Sequence, residues 1–238
     1  MFGKQKFATL VAEFLGTGAL TLLVLSVQRS TIGVPFFVAT AAGLVVALMT
    51  FAVGGVSGGY FNPAITIGMW TARKVATVTA VMYVIVELLG GWAAYGLYRY
   101  LVNTSLQPVG GHYTTRILIA EAVGAAIFAF GFAAAVYRRM LPSSTAPYVG
   151  LALMIGILAA SPASIGLLNP AVALGVRAWV WGTYVAGPII GAVVGINLYD
   201  LLFAEESSNV LSAVAGRSSA SAPAASKPAA KKKSSRKK

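Results

Sequence analysis

The sequence predicts an all-α membrane protein with six transmembrane helices and two re-entrant half-helices, arranged as an inverted repeat. Three observations predict it. Of 238 residues, 58% are hydrophobic and 10% charged, too little charge to cover a soluble domain, where about a quarter is usual. Six apolar stretches are long enough, or nearly so, to cross a bilayer. Two Asn-Pro-Ala triplets, Asn62-Pro63-Ala64 and Asn169-Pro170-Ala171, stand 107 residues apart, each opening an apolar segment too short to span.

The elements follow in chain order. A first run over 7–27 lies behind Lys4 and Lys6. Its length matches the ~20 apolar residues that cross the hydrocarbon core. A secretory signal would have a shorter apolar core and a small-residue cleavage site, so this run is read as a retained first span. The second, third and fourth spans are expected over 34–53, 77–98 and 116–137. The fifth, 147–161, is short by hydropathy, and the sixth covers 179–203. The two short segments, 61–72 and 168–178, fall between spans two and three and between five and six.

An internal repeat organises these pieces. Ala12-Glu13-Phe14-Leu15-Gly16 recurs as Ala120-Glu121-Ala122-Val123-Gly124 at an offset of 108, within one residue of the offset between the triplets. Glu87-Leu88-Leu89-Gly90 corresponds to Pro188-Ile189-Ile190-Gly191 at an offset of 101. Each half holds three spans and one short segment. Because three is odd, the second half is inverted, and the short segments enter the membrane from opposite sides. The sequence thus divides into one membrane domain over 1–206, with repeats about 7–100 and 115–203, and a tail over 207–238.

Basic residues set the expected orientation. Lys4, Lys6, Arg73, Lys74, Arg138, Arg139 and the tail fall on one side, and Arg29, Arg99, Arg116 and Arg177 on the other. That is fourteen cations against four, which assigns the first side and both termini to the cytoplasm. The net charge of +12 belongs mostly to the tail, where eight of eighteen Lys and Arg lie beyond residue 206. The tail is Ser, Ala, Pro and Lys with little to bury, so it is expected to be disordered. It is either simply solvated, or its Lys231-Lys232-Lys233 and Arg236-Lys237-Lys238 clusters attract anionic lipid headgroups at ~1 kcal/mol per charge. No nucleic-acid role is expected.

The composition also narrows the chemistry. With no cysteine, no disulfide framework, thiolate metal site or cysteine nucleophile is possible. One histidine and six acids leave little for a metal site or acid–base catalysis, and no cofactor is expected. His112 sits beside Gly110 and Gly111 without an acid or second histidine nearby and reads as a loop residue.

Irregular backbone at membrane depth survives only when buried in protein or lining a wet cavity. Each triplet supplies a mechanism for that. Proline fits the first helical turn, where its missing N–H costs nothing, and the asparagine before it is a strong N-cap. Asn62 and Asn169 should therefore cap short helices beginning near 63 and 170. Two such N-termini meeting at the midplane place positive dipole ends face to face. The asparagine amides would then offer donors to a passing water, while cations are repelled. Gly68 and Gly175 lie six residues past each asparagine and suit close packing. Glu13 and Glu121 sit at matching depths and are read as accepting backbone N–H bonds from the folded-back loops. The alternative, a proton relay, is the default suspicion for any intramembrane carboxylate. Glu87, whose repeat mate is Pro188, is not placed by the sequence, with a subunit interface and the lumen both open.

The run Ser57-Gly58-Gly59-Tyr60-Phe61-Asn62-Pro63-Ala64-Ile65-Thr66-Ile67-Gly68 resembles the first signature of the aquaporin, or major intrinsic protein, family. Ala12-Glu13-Phe14-Leu15-Gly16-Thr17 resembles its first helix, and Gly187-Pro188-Ile189-Ile190-Gly191 its sixth. The similarity covers about residues 7–203. It implies six helices with two half-helices, a homotetramer of independent pores, and passive conduction of water or small neutral solutes. Selectivity in such channels is attributed to pore width, lining groups and electrostatic barriers.

One position departs from the family pattern. The resemblance implies an arginine directly after the second triplet, at the outer constriction, where this chain has Val172. The other constriction positions implied by the motifs are Ala42, Ile157 and Gly166. Arg177 is a poor substitute: five residues further along, it points roughly 140° away on a helix. The outer filter is thus expected to be wide and apolar, without a fixed cation. A coupled secondary transporter is the alternative in another class, since inverted repeats with broken helices also build those. A non-conducting structural member, its pore closed by side chains such as Ile157 and Phe61, is a third reading, and an enzyme is the least supported.

Overall fold

The computed structural model describes the backbone of residues 3–220 and the side chains as far as Ala204. Eight α-helices run in the order α1 (Lys4–Gln28), α2 (Pro35–Ser57), α3 (Pro63–Thr71), α4 (Thr77–Val102), α5 (Thr115–Tyr137), α6 (Pro142–Ala160), α7 (Pro170–Gly175) and α8 (Ala186–Ala220). A π-helical turn, Trp181–Val185, leads into α8. Among the described residues, six segments are long and apolar enough to cross a membrane: α1, α2, α4, α5, α6 and the stretch Trp181–Ala204. Leu44, Leu48 and Phe51 on α2 and Trp92 on α4 are outward and exposed, as expected where lipid or a partner is the solvent.

Local chemistry sets the helix ends. α2 and α6 begin with Pro35 and Pro142 in the first turn, where proline's fixed φ is pre-organised. Thr114 caps α5, its hydroxyl accepting the Ile117 N–H at 3.1 Å. α2 stops at Gly58, whose φ of +102° suits glycine.

Two boundaries differ from the sequence reading. α6 begins at Pro142 rather than near 147. Its first turn, Pro142-Ser143-Ser144-Thr145, is too polar for a hydropathy window, and Pro147 inside the helix looks like a start but is tolerated near the N-terminus. α8 continues to Ala220, past the boundary drawn at 206 from composition. The remaining basic segment, including Lys231 and Arg236, lies outside the described residues.

The two halves interlock. α1 packs on α4 as α5 packs on α8. A Cβ on Gly90 would meet the Phe14 carbonyl oxygen, and one on Gly191 the Ala122 carbonyl oxygen, so the same close crossing is made twice. α2 crosses α6 at Gly43 and Gly150, which are themselves 107 residues apart. A Cβ on Gly43 would sit 2.7 Å from the Gly150 carbonyl oxygen, and one on Gly150 would collide with that of Gly43. Corresponding residues touching each other mark where the pseudo-twofold axis passes. Each half-helix packs into the opposite half: α3 against α8, and α7 against α1 and α4. Gly68 admits Ile196 and Ala192, and Gly175 admits Thr21 and Gly91.

Candidate functional site

The site is built from the two loops that precede α3 and α7. Both asparagines cap their helices: Asn62 Oδ1 accepts the Ala64 N–H at 2.8 Å, and Asn169 Oδ1 accepts that of Ala171 at 2.9 Å. The amide nitrogens do not simply face open space. Asn62 Nδ2 donates to the Leu168 carbonyl at 2.9 Å, and Asn169 Nδ2 donates to the Phe61 carbonyl at 2.8 Å. A primary amide has two N–H groups, so each asparagine keeps one beyond this cross-link. The accepting carbonyls are aimed by unusual backbone: Phe61 and Leu168 have φ of 50° and 52°, a left-handed conformation that bulky residues adopt only when the surroundings hold them there.

What holds them is a pair of buried carboxylates. Glu13 accepts the N–H groups of Tyr60 (3.1 Å) and Phe61 (2.6 Å), and Glu121 those of Leu167 (3.0 Å) and Leu168 (2.7 Å). Both side chains are fully buried, and a buried carboxylate is tolerable only when its lone pairs are met in this way. Ser164 adds a brace, donating to Glu121 Oε1 while accepting the Gly166 N–H at 3.1 Å. Its repeat mate Ser57 accepts the Gly59 N–H at 3.2 Å.

Glu87 faces neither the lumen nor a subunit interface. It is buried behind the first half-helix, accepting the Asn62 N–H at 3.3 Å and the Thr66 hydroxyl at 2.7 Å. The second half has no such brace, because Thr66 and Glu87 correspond there to Ala173 and Pro188.

The residues read from the sequence as a constriction lie together. Ala42, Ile157, Gly166 and Val172 line one central cavity with Asn62 and Asn169. The cavity leaves only about 10 Å³ in which the centre of a water molecule can move, about the room one water needs. Gly166 has φ +65°, and a Cβ there would approach Ile157 Cγ2 to 3.0 Å, so this wall is narrow because two elements meet. Phe61 also lines this cavity, and its ring fills the space left by the missing side chain of Gly16 on α1.

Arg177 is absent from this wall. It has φ +65°, donates to the Leu106 carbonyl at 2.7 Å, and sets its guanidinium 6.0 Å from the Tyr95 ring. Arg29 pins the same outer loop through the Gln107 carbonyl at 2.8 Å. His112 lies exposed in that loop, and no metal-holding cluster of His, Asp or Glu occurs among the described residues.

Sequence reasoning missed the serine braces, Thr66, and the cross-linking carbonyls of Phe61 and Leu168. A signal existed for the serines: Ser-x-Gly-x-x-Asn-Pro-Ala occurs at both 57–64 and 164–171. No sequence signal marks a left-handed phenylalanine or leucine.

Comparison with known proteins bears on family and fold. The family described as major intrinsic protein matches residues 3–199. Aquaporin Z of Photorhabdus laumondii is 33% identical over 227 residues, 83% of this chain and 98% of that protein. A probable aquaporin of Oryza sativa is 30% identical, covering 89% of this chain and 84% of its own length. In fold, the chain matches the crystal structure of the aquaglyceroporin from Plasmodium falciparum with a TM-score of 0.72 at 21% identity, over 86% of this chain and 99% of that one.

Proposed function

The chain belongs to the major intrinsic protein family, and we infer that it is a passive transmembrane channel for water and small uncharged solutes, glycerol-sized or smaller. The observation that carries this reading is the single cavity in which the two capping asparagines meet Ala42, Ile157, Gly166 and Val172. A solute passing between Asn62 and Asn169 finds the remaining amide N–H groups as donors. It finds no charge of its own to be met, since the buried carboxylates are occupied by loop N–H groups. Two helix N-termini point at this place and disfavour cations there.

The outer filter is made of Ala42, Ile157, Gly166 and Val172. It is apolar and holds no fixed cation, with Arg177 turned to Leu106 and Tyr95 instead. Exclusion of ions therefore falls to the asparagine region. The three buried acids, which would be the coupling groups of a transporter, serve as anchors for backbone and hydroxyl donors. Homotetrameric assembly and cytoplasmic termini belong to the same reading, supported by family membership and by the bias of basic residues toward one face.

Osmotic shrinkage of proteoliposomes tests it, with water, glycerol and a smaller solute compared. A channel gives rates proportional to the gradient, without saturation and without dependence on any ion. Saturation with ion dependence would indicate a transporter, and flux equal to protein-free vesicles would indicate a closed structural member.

A further inference from the structure

Each half-helix ends with an arginine in the left-handed position that glycine normally fills. After α7 it is Arg177, and after α3 it is Arg73, with φ of 65° and 58°. Both close the same turn: the Arg73 N–H bonds the Trp70 carbonyl and the Lys74 N–H that of Met69, while Arg177 and Ala178 bond Leu174 and Ala173. A side chain at this position costs stability relative to glycine. Arg177 offsets the cost through Leu106 and Tyr95. Among the described residues Arg73 makes no such contact, and its side chain is exposed.

Arg73 has company. Lys74 lies 4.2 Å over the ring of Tyr137, the last residue of α5. Arg138 and Arg139 follow at once, Arg139 again left-handed at φ 49°. Four exposed cations thus share one membrane face at the ends of α3 and α5. One acid, Asp200 on α8, lies beside the Tyr137 hydroxyl. No ion pair joins it to any of the four among the described residues.

We propose that Arg73, Lys74, Arg138 and Arg139 form a docking site for the phosphate headgroups of anionic phospholipids. The site fits a lipid better than a soluble polyanion because of what adjoins it. Trp70, Val136 and Leu141, each within three residues of one of these cations in the chain, are exposed apolar side chains, so a bound headgroup would continue into acyl chains lying against α3 and α5. Cations near an anionic surface attract it additively. The inference is independent of which solute the channel passes.

The test uses the full chain, purified in detergent and titrated with mixed phosphatidylglycerol and phosphatidylcholine, with bound lipid counted by native mass spectrometry. The variant is Arg73→Gly, Arg139→Gly, Lys74→Gln and Arg138→Gln. Glycine suits both left-handed turns, so the fold is not threatened. The wild type should retain phosphatidylglycerol preferentially, and the preference should fall by about fivefold per cation removed. A control with Arg99→Gln and Arg116→Gln, on the opposite face, should keep it. An unchanged preference in the quadruple variant, or an equal loss in the control, overturns the proposal. So does inorganic phosphate or a soluble inositol polyphosphate displacing the lipid at comparable concentration, which would make the ligand a soluble anion. Wild-type water flux in the quadruple variant verifies that the loss is one of lipid and not of folding.

Discussion

Asn62 and Asn169 each reach across the centre of the protein to the loop that carries the other. Asn62 Nδ2 is 2.9 Å from the Leu168 carbonyl oxygen, and Asn169 Nδ2 is 2.8 Å from that of Phe61. The same side chains cap their own half-helices through Oδ1. Each amide therefore does two structural tasks and has one N–H left over.

Asn62→Asp separates those tasks. Aspartate is as good a cap as asparagine, but it cannot donate to Leu168. The orphaned carbonyl should cost about 1–3 kcal/mol, seen as a lower thermal unfolding midpoint in detergent. The added negative charge should also admit cations that the wild type excludes. Unchanged stability and unchanged ion exclusion would show that the cross-link has no energetic role.

Glu13→Gln and Glu121→Gln should behave alike. Each removes one of the acceptors that hold a pre-triplet loop and the charge that strengthens both bonds, at roughly 1.5–3 kcal/mol per charged hydrogen bond lost. Thermal unfolding should register similar losses for both, since Ser57 and Ser164 are matching hydroxyl partners of the two carboxylates. Retained stability but lost flux would instead favour the relay role.

Glu87→Gln should leave flux intact, since glutamine still offers an oxygen to the Asn62 N–H and the Thr66 hydroxyl. Glu87→Leu should destabilise by about 1–3 kcal/mol for each buried donor left unpaired. Solute flux that depends on a proton gradient in the wild type and loses that dependence in Glu87→Gln would contradict the bracing role.

Val172→Arg places a long cation in the wall of the central cavity. Glycerol should be hindered more than water, the ratio falling about tenfold for a roughly 1.4 kcal/mol difference in barrier. Proteoliposome shrinkage reads both rates. If neither neutral flux changes, Val172 does not line the path.

Much of this was legible in the sequence because it rests on repetition and on helix chemistry. Asn-Pro favours a capped helix start, and two copies 107 residues apart, within one residue of the Glu13–Glu121 offset, pointed to the inverted arrangement. Apolar length marked the spans, and failed at α6 where Ser143, Ser144 and Thr145 open the helix. Glu87 was not legible, since its partner Thr66 lies on another element and its repeat mate is a proline. Nor were the carbonyls of Phe61 and Leu168, whose backbone is dictated by Glu13 and Glu121 rather than by their own side chains. Arg177 was read correctly as facing away, although its position reflects a left-handed turn and not continued helix.

The absence of any cysteine permits the most direct measurement. Val172→Cys and Ala42→Cys should be engineered singly, with Arg177→Cys and the outward Leu44→Cys as comparisons, and water flux followed before and after a membrane-impermeant thiol reagent. A path between Asn62 and Asn169 predicts block at Val172 and Ala42, and no change at Arg177 or Leu44. Undiminished flux after complete labelling at Val172 and Ala42 would contradict it.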